Sequence, residues 1–227
     1  MPIAASAGIG SLSAVDRVLA SAQYISEHST DVSVPLQGVE RAAARILKRM
    51  QSVGYSTASW KQHALTPSLA TASAIEWIFT VDALNFSFWS TQSAAAGSAQ
   101  YAVTYDGVAY RGYWSLCAAV NRALAEGIAI TDAAYWCRAS DSELAHVFRS
   151  DPGREPMPML QERLAVLREA GQVLVRGYGG RFANLLAGAR GSARRLVDTV
   201  VAEFACFRDE HQFQGQPVAM YKRAQIL

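Results

Sequence analysis

Cysteines are few in this sequence of 227 residues, and long apolar runs are absent. The three cysteines are widely spaced and form no Cys-x-x-Cys pair, so neither a disulfide framework nor a zinc site is predicted, and buried free thiols are expected. No stretch approaches the roughly 18 consecutive apolar residues that a membrane-spanning helix requires. The first residues also lack the basic start and apolar centre of a signal peptide. These absences predict a soluble, cytoplasmic protein that makes no membrane contact.

An excess of charge of either sign is missing too. The formal net charge is +2, with −1 on the first 150 residues and +3 on the remainder. Proteins that bind polynucleotides usually carry a strongly basic arm or tail, so this even distribution argues against direct binding of nucleic acid. With 51% hydrophobic and 18% charged residues, the composition is typical of a globular protein with a sizeable core.

The short motifs of several enzyme classes are also absent. The sequence contains no P-loop, no Rossmann glycine spacing and no His-Glu-x-x-His. It has no serine, histidine and aspartate in a recognisable catalytic order. Local motifs alone therefore identify no reaction.

Apolar residues recur at helical spacing through most of the chain, and strand-like alternation is confined to short stretches. An Asp106-Gly107 pair between two alternating runs predicts a β-hairpin, and residues 213–218 predict a second tight turn. There is no internal repeat and no long linker. We therefore predict a mainly α fold in a single domain over residues 1–227, with one or two small β-hairpins. Helices are expected near residues 15–25, 39–50, 68–81, 113–126, 141–148, 160–177 and 192–204.

The last residues of the sequence form an unusual end. Residues 221–227 begin an amphipathic helix that stops within two turns, with the apolar Ile226 and Leu227 last. A helix this short is marginal without partners. We therefore expect that the C-terminal part of the domain is missing and that the chain ends inside an element.

The stretch from Phe79 to Trp89 concentrates aromatic residues beside Asp82 and Asn85. Aromatic faces next to amide and carboxylate groups are what a protein needs to stack a heterocyclic base and read its edge. Asn85 and Phe86 are therefore predicted to bind a substrate. The alternative is a corner of the core in which Asn85 only satisfies a turn.

His63 precedes Thr66-Pro67, where the proline favours an extended backbone at the residue before it. A histidine in such a loop is placed to meet a ligand. The alternative is a histidine at a helix end or on the surface, with no ligand contact.

Two further places could bind a phosphate. Trp114 and Ser115 follow Gly112 at a predicted helix start, where free backbone N–H groups favour an anion, although Ser115 could equally be an ordinary first-turn residue. Lys222 and Arg223 form an adjacent basic pair at another predicted helix start. A phosphate-facing role is possible for this pair, and the alternative is a pair of solvated charges on an exposed helical face.

Several long blocks, in a fixed order, resemble one known family. The blocks are Phe79–Trp89, Gly112–Leu124 (GYWSLCAAVNRAL), Glu126–Ile128 and Tyr221–Leu227 (YKRAQIL). In these blocks the sequence resembles the queuosine salvage proteins, the queuosine 5′-phosphate N-glycosylases, and the resemblance extends over nearly the whole chain.

The resemblance implies a hydrolase that cleaves the N-glycosidic bond of queuosine 5′-phosphate and releases queuine for reinsertion into tRNA by a transglycosylase. It implies a small-molecule nucleotide as the partner, no metal or nucleotide cofactor, and a fold like that of helical DNA glycosylases. His63 matches a position that the family associates with the ligand. The other substrate-binding residues, predicted from the residues themselves, are Asn85, Phe86, Trp114, Ser115, Lys222 and Arg223.

The chemistry that the resemblance implies is demanding. Queuine is a 7-deazaguanine, so it lacks the ring nitrogen whose protonation would help a guanine to leave. The enzyme must stabilise an oxocarbenium-like sugar and supply a nucleophile or an activated water, for which a carboxylate is the natural group. A secondary amine on the cyclopentenediol arm, which is expected to be cationic, would favour a nearby acid and aromatic walls.

One departure from the family bears on activity. In family members the catalytic aspartate lies in an Asp-Tyr-Arg segment beyond the YKRAQIL block, and this sequence contains no Asp-Tyr-Arg. The catalytic residue is therefore not identified in this chain. The alternative function is that of a catalytically inactive member that only binds queuine, a nucleotide or a partner.

Overall fold

A computed structural model describes residues 12–54, 56–69, 71–89 and 100–227 of the chain. The described residues are mainly helical, with two small antiparallel hairpins, which confirms the predicted fold class. They divide into two compact units. The smaller unit takes the described residues up to His63 together with Asp209–Tyr221, and the larger takes those of Ala64–Arg208 with Lys222–Leu227. The single domain over residues 1–227 and the likeness to DNA glycosylases stay predictions.

Helices account for most of the described elements, and each helix predicted from periodicity is present. A 3-10 turn covers Ala205–Phe207. None of the described helices combines the length and the hydropathy that crossing a bilayer requires. In chain order the α-helices are α1 (Ala14–His28), α2 (Leu36–Val53), α3 (Ala58–Lys61), α4 (Ala72–Ala83), α5 (Tyr113–Ala125), α6 (Ala133–Arg138), α7 (Asp141–Val147), α8 (Leu160–Gly177), α9 (Phe182–Gly188), α10 (Ala193–Glu203) and α11 (Lys222–Ile226).

Both predicted hairpins are confirmed. Strands β1 (Ala102–Tyr105) and β2 (Val108–Arg111) pair antiparallel, and the two residues between them have positive φ. Strands β3 (Glu210–Phe213) and β4 (Gln216–Ala219) form the second hairpin with the same loop geometry. Two-residue loops with positive φ match the right-handed twist of the strands, which is why Asp-Gly is a strong hairpin signal.

The smaller unit is organised around α1 and the second hairpin. The hydroxyl of Ser21 accepts a hydrogen bond from the backbone N–H of Ala219 at 2.9 Å, which joins α1 to β4. Arg17 forms an ion pair with Glu210 of β3 at 3.6 Å. The amphipathic pattern of α2 is present as predicted, but α2 contributes no buried residue, so its apolar side is exposed.

The larger unit has an aromatic core centred on α4. The ring of Phe79 stacks on Phe182 of α9 at 4.1 Å between centroids, and Phe204 and Phe207 lie 5.4 and 6.0 Å away. The carboxylate of Glu76, one turn earlier in α4, accepts hydrogen bonds from the first backbone N–H groups of α9. These contacts fix α4 along its length and therefore fix the position of its C-terminal end.

The thiols differ from expectation at one position. Cys117 is buried and Cys206 is partly buried, as expected, and all three cysteines are free. Cys137 is exposed, so the expectation of a buried thiol is wrong there. It lies near the end of the short helix α6, close to α8.

Helices α6 and α8 approach closely because α8 has a glycine at their contact. A Cβ atom on Gly171 would lie 2.9 Å from the carbonyl oxygen of Ala133, 3.0 Å from Sγ of Cys137 and 3.3 Å from Cβ of Trp136. Backbone of a packed helix cannot move away cheaply. The close contact therefore depends on the absence of a side chain at this position.

We expect Gly171→Ala to lower the free energy of unfolding by about 2 kcal/mol, because overpacking costs more than the roughly 1 kcal/mol that alanine gains in helix propensity. Urea-induced unfolding monitored by circular dichroism measures the change. Gly177→Ala in the same helix is the control, since nothing lies within 4 Å of a Cβ there. Equal stability of the two variants would contradict the close-packing argument.

Candidate functional site

The candidate site is built on the turn that follows α4, and we call residues 83–87 the α4 turn. The helix ends at Ala83, and the backbone N–H of Asn85 donates to the carbonyl of Asp82 at 3.2 Å. Ser87 has a φ of 44°, which turns the chain sharply. Asn85 and Phe86, which lie in this turn, are partly buried.

The guanidinium of Arg163 holds the α4 turn from the side of α8. It is fully buried, with 0% exposure. It donates to the carbonyls of Leu84 and Phe86, to that of Ser87 at 2.9 Å, and through Nε to that of Pro158 at 3.0 Å. Burial lowers the pKa of Arg163 to about 10, which still leaves it charged at neutral pH.

A second guanidinium, that of Arg223 in α11, reaches the other end of the same turn. Its Nη1 donates to the carbonyl of Ala83 at 3.0 Å, and its Nη2 donates to the carbonyl of Cys206. The group also lies over the rings of Phe86 and Phe207, at 5.0 and 5.4 Å from their centroids. Arg223 therefore joins the α4 turn to the 3-10 turn.

Phe86 lies against both arginines. The guanidinium carbon of Arg163 is 4.4 Å from its ring centroid and that of Arg223 is 5.0 Å away. Arg163 also lies 5.1 Å from the centroid of Phe88. Cation–π contacts of this kind fix the ring, so Phe86 is a partly buried anchor of the turn as well as a predicted ligand contact.

Two polar side chains of this region, those of Asp82 and Asn85, are not hydrogen-bonded to Arg163 or Arg223. Asp82 is 7% exposed and Asn85 is partly buried. The part of the chain that the structure describes offers no hydrogen-bond partner to either side chain. Burial raises the pKa of Asp82 to about 7. The carboxyl can therefore be neutral or ionised near neutral pH.

The start of α5 lies on the side of Asp82. The negative charge of Asp82 acts on the thiol of Cys117, whose pKa is raised to about 12, mainly by burial, while a hydrogen bond from Tyr113 opposes the rise. Ser115 is fully buried and its hydroxyl donates to the carbonyl of Gly112 at 2.6 Å. Trp114 is partly buried, and its ring meets that of Tyr113 edge to face at 5.0 Å.

The two remaining predicted residues, His63 and Lys222, lie outside the α4 turn. His63 lies in a bend just after α3, where its backbone N–H donates to the carbonyl of Trp60 at 3.2 Å, so the predicted loop position is confirmed. It belongs to the smaller unit, whereas the other predicted residues belong to the larger. Lys222 is exposed at the start of α11. Their roles toward a ligand stay predictions.

Sequence reasoning missed Arg163, although a signal was present. Arg163 stands at helical spacing between Leu160 and Leu167, on the apolar stripe of α8. A charged residue on such a stripe is rarely buried unless it has partners. That position alone indicated a buried arginine, but not the α4 turn as its partner.

The described residues place a carboxyl and an amide beside aromatic rings, and they form no cluster of metal ligands. Among them, no group of three or more histidine, cysteine, aspartate or glutamate side chains could hold a metal ion. A carboxyl and an amide beside aromatic rings supply acceptors, donors and stacking faces instead. This arrangement suits the edge of a base.

Comparison with known proteins identifies the family. The profile of the queuosine salvage protein family matches residues 65–227. Two relatives carry the name queuosine 5′-phosphate N-glycosylase/hydrolase. The one from Mus musculus is 43% identical to this chain and the one from Nematostella vectensis is 40% identical, each over 91% of this chain. The relative of that name from Schizosaccharomyces pombe is 40% identical over 94% of the chain. The chain spans 60%, 58% and 63% of the length of these relatives, in that order. By its profile match and by these identities, the chain belongs to the queuosine salvage protein family.

Proposed function

We propose that the protein hydrolyses the N-glycosidic bond of queuosine 5′-phosphate and releases queuine for tRNA queuosine salvage in the cytoplasm. The observation that carries this proposal is the 40–43% identity, over 91% of the chain, to relatives named for that activity. The substrate is a small nucleotide. The proposal includes no direct binding of nucleic acid and no metal or nucleotide cofactor.

In this proposal the α4 turn binds the base. The amide of Asn85 both donates and accepts hydrogen bonds, and the carboxyl of Asp82 accepts them when ionised and also donates one when protonated. With a pKa of about 7, Asp82 can serve ring N–H groups or a cationic amine on the arm of queuine. The ring of Phe86, held by two arginines, supplies an aromatic face.

A 7-deaza base cannot be protonated at the missing nitrogen, so it is a poor leaving group. The reaction therefore needs stabilisation of the sugar and of the departing base. Hydrogen bonds at the base edge stabilise the negative charge that develops as it leaves, and they are worth most where water is excluded. Asp82 and Asn85 act there in this proposal. Among residues 1–227, no carboxylate is assigned to attack on the sugar.

The other predicted residues complete the proposed contacts. His63 keeps its predicted contact with the ligand, and Trp114 provides a second aromatic wall. Lys222, exposed at the start of α11, and the first turn of α5 around Ser115 are the proposed phosphate contacts.

Turnover is the direct test. We expect the full-length protein, incubated with queuosine 5′-phosphate, to release queuine and ribose 5-phosphate in equal amounts, measured by liquid chromatography and mass spectrometry. Guanosine 5′-phosphate, which lacks the arm and retains the ring nitrogen, is the control and should be cleaved far more slowly. The absence of both turnover and binding with queuosine 5′-phosphate would contradict the proposal.

A non-catalytic binder is the second candidate function. Such a protein would bind queuosine 5′-phosphate or queuine without releasing or consuming either. Isothermal titration calorimetry in parallel with the turnover assay distinguishes the two functions.

A further inference from the structure

We propose that Arg223 is a positioning residue that holds the α4 turn for base recognition and does not bind the substrate phosphate. This inference rests on the proposed function, because it assigns the α4 turn to the base. It replaces the phosphate role that the basic pair Lys222-Arg223 first suggested.

The contacts of Arg223 point to the turn. Its two terminal nitrogens donate to carbonyls of different segments, Ala83 in the α4 turn and Cys206 in the 3-10 turn. Its planar face lies over Phe86 and Phe207. A guanidinium that bridges two carbonyls and contacts two rings has a fixed orientation, which a lysine ammonium cannot reproduce.

Arg163 holds the rest of the α4 turn, from the side of α8. The carbonyls of four residues in the α4 turn accept hydrogen bonds from these two guanidiniums, those of Ala83, Leu84, Phe86 and Ser87. Arg223 supplies the contact at the helix end of the turn, next to Asp82. Loss of that contact frees the segment between Asp82 and Asn85, the two side chains proposed to read the base.

Lys222 and Arg223 differ in how accessible their side chains are to a phosphate. The side chain of Lys222 is exposed, whereas that of Arg223 is partly buried. An arginine that binds phosphate presents its fork to the anion, usually through two parallel hydrogen bonds. Arg223 directs its terminal nitrogens to backbone carbonyls instead.

Binding of queuosine with and without its 5′-phosphate tests the role of Arg223. In Arg223→Gln we expect the dissociation constants of queuosine and of queuosine 5′-phosphate to rise by the same factor, about tenfold. Arg223→Lys should behave like Arg223→Gln, because charge without the fork does not bridge the two carbonyls. A loss confined to the phosphorylated ligand, or rescue by lysine, would overturn the inference.

Arg208→Gln is the matched control. Arg208 also donates to two backbone carbonyls, those of Val201 at 2.8 Å and Ala202 at 2.5 Å, but it does not touch the α4 turn. It should change neither dissociation constant by more than about twofold. A loss equal to that of Arg223→Gln would mean that any broken carbonyl contact weakens binding, and would also overturn the inference.

Hydrogen exchange gives a test that needs no ligand. The amides of Leu84 and Asn85 donate to carbonyls at the end of α4, and that of Phe86 donates to the carbonyl of Leu84, so their exchange rates report the order of the turn. We expect exchange in a peptide covering residues 83–89 to be at least tenfold faster in Arg223→Gln than in the wild type or in Arg208→Gln. Unchanged exchange would refute the positioning role. If the wild type bound neither ligand, the proposed function would fail while exchange still decided the role of Arg223.

Discussion

Replacing Arg163 with methionine is expected to lower the free energy of unfolding by about 4 kcal/mol. The guanidinium is fully buried and is the hydrogen-bond donor to four backbone carbonyls. Methionine fills part of the volume but donates no hydrogen bond, so buried acceptors lose their partner, and each unsatisfied acceptor costs about 1–3 kcal/mol.

Urea-induced unfolding of the two proteins measures this difference. Arg154→Met is the matched control, because Arg154 is exposed on the segment just before α8, and it should change stability by less than about 0.5 kcal/mol. Should Arg163→Met not fold at all, Arg163→Lys keeps the charge with fewer donors and should lose an intermediate amount. A loss below about 1 kcal/mol for Arg163→Met would show that the carbonyls find other partners.

Between about pH 4 and pH 7, the contribution of Asp82 to the stability of the protein is expected to fall as the pH rises. Burial raises the pKa of this carboxyl from 3.8 to about 7 in the folded state. Between those two values the folded protein retains a proton that the unfolded chain has released, so stability decreases as pH increases. Above the folded pKa both states are ionised and the penalty is constant. About three pH units at 1.4 kcal/mol each correspond to about 4 kcal/mol.

Asp82→Asn isolates this effect, since asparagine has a similar shape and no charge. The difference in the free energy of unfolding between the variant and the wild type should be near zero at pH 4. At pH 8 the variant should be more stable by about 4 kcal/mol. Urea unfolding at several pH values measures this difference. Asp106→Asn, at an exposed hairpin position, is the control and should show no such trend. A pH-independent difference for Asp82→Asn would mean that the carboxyl is not buried as described.

Local signals explain which parts of the fold could be predicted. The hairpin loops and the long helices depend on residues within a few positions of one another, such as Asp106-Gly107 and the capping box of Ser140 and Glu143. Helix α9 was not predicted. Seven residues carry little periodicity, and its first amides are bound by Glu76, more than a hundred residues earlier.

The polar and aromatic side chains of the candidate site could be predicted from the sequence. The contacts by which Arg163 and Arg223 hold the α4 turn could not. The aromatic stretch with Asp82 and Asn85 was visible from composition. The contact of Arg223 with the carbonyl of Ala83 joins residues 140 positions apart, and that of Arg163 with Leu84 joins residues 79 apart. Backbone carbonyls occur at every residue, so the sequence carries no mark of which ones an arginine will bind.

Because the two arginines bind the main chain of the α4 turn and the ring of Phe86, their hold does not depend on the side chain at residue 85. Residue 85 can therefore be exchanged without releasing the loop that displays it. A turn fixed in this way is a suitable starting point for engineering: variation at Asn85 should redirect base preference while the surrounding fold keeps its stability.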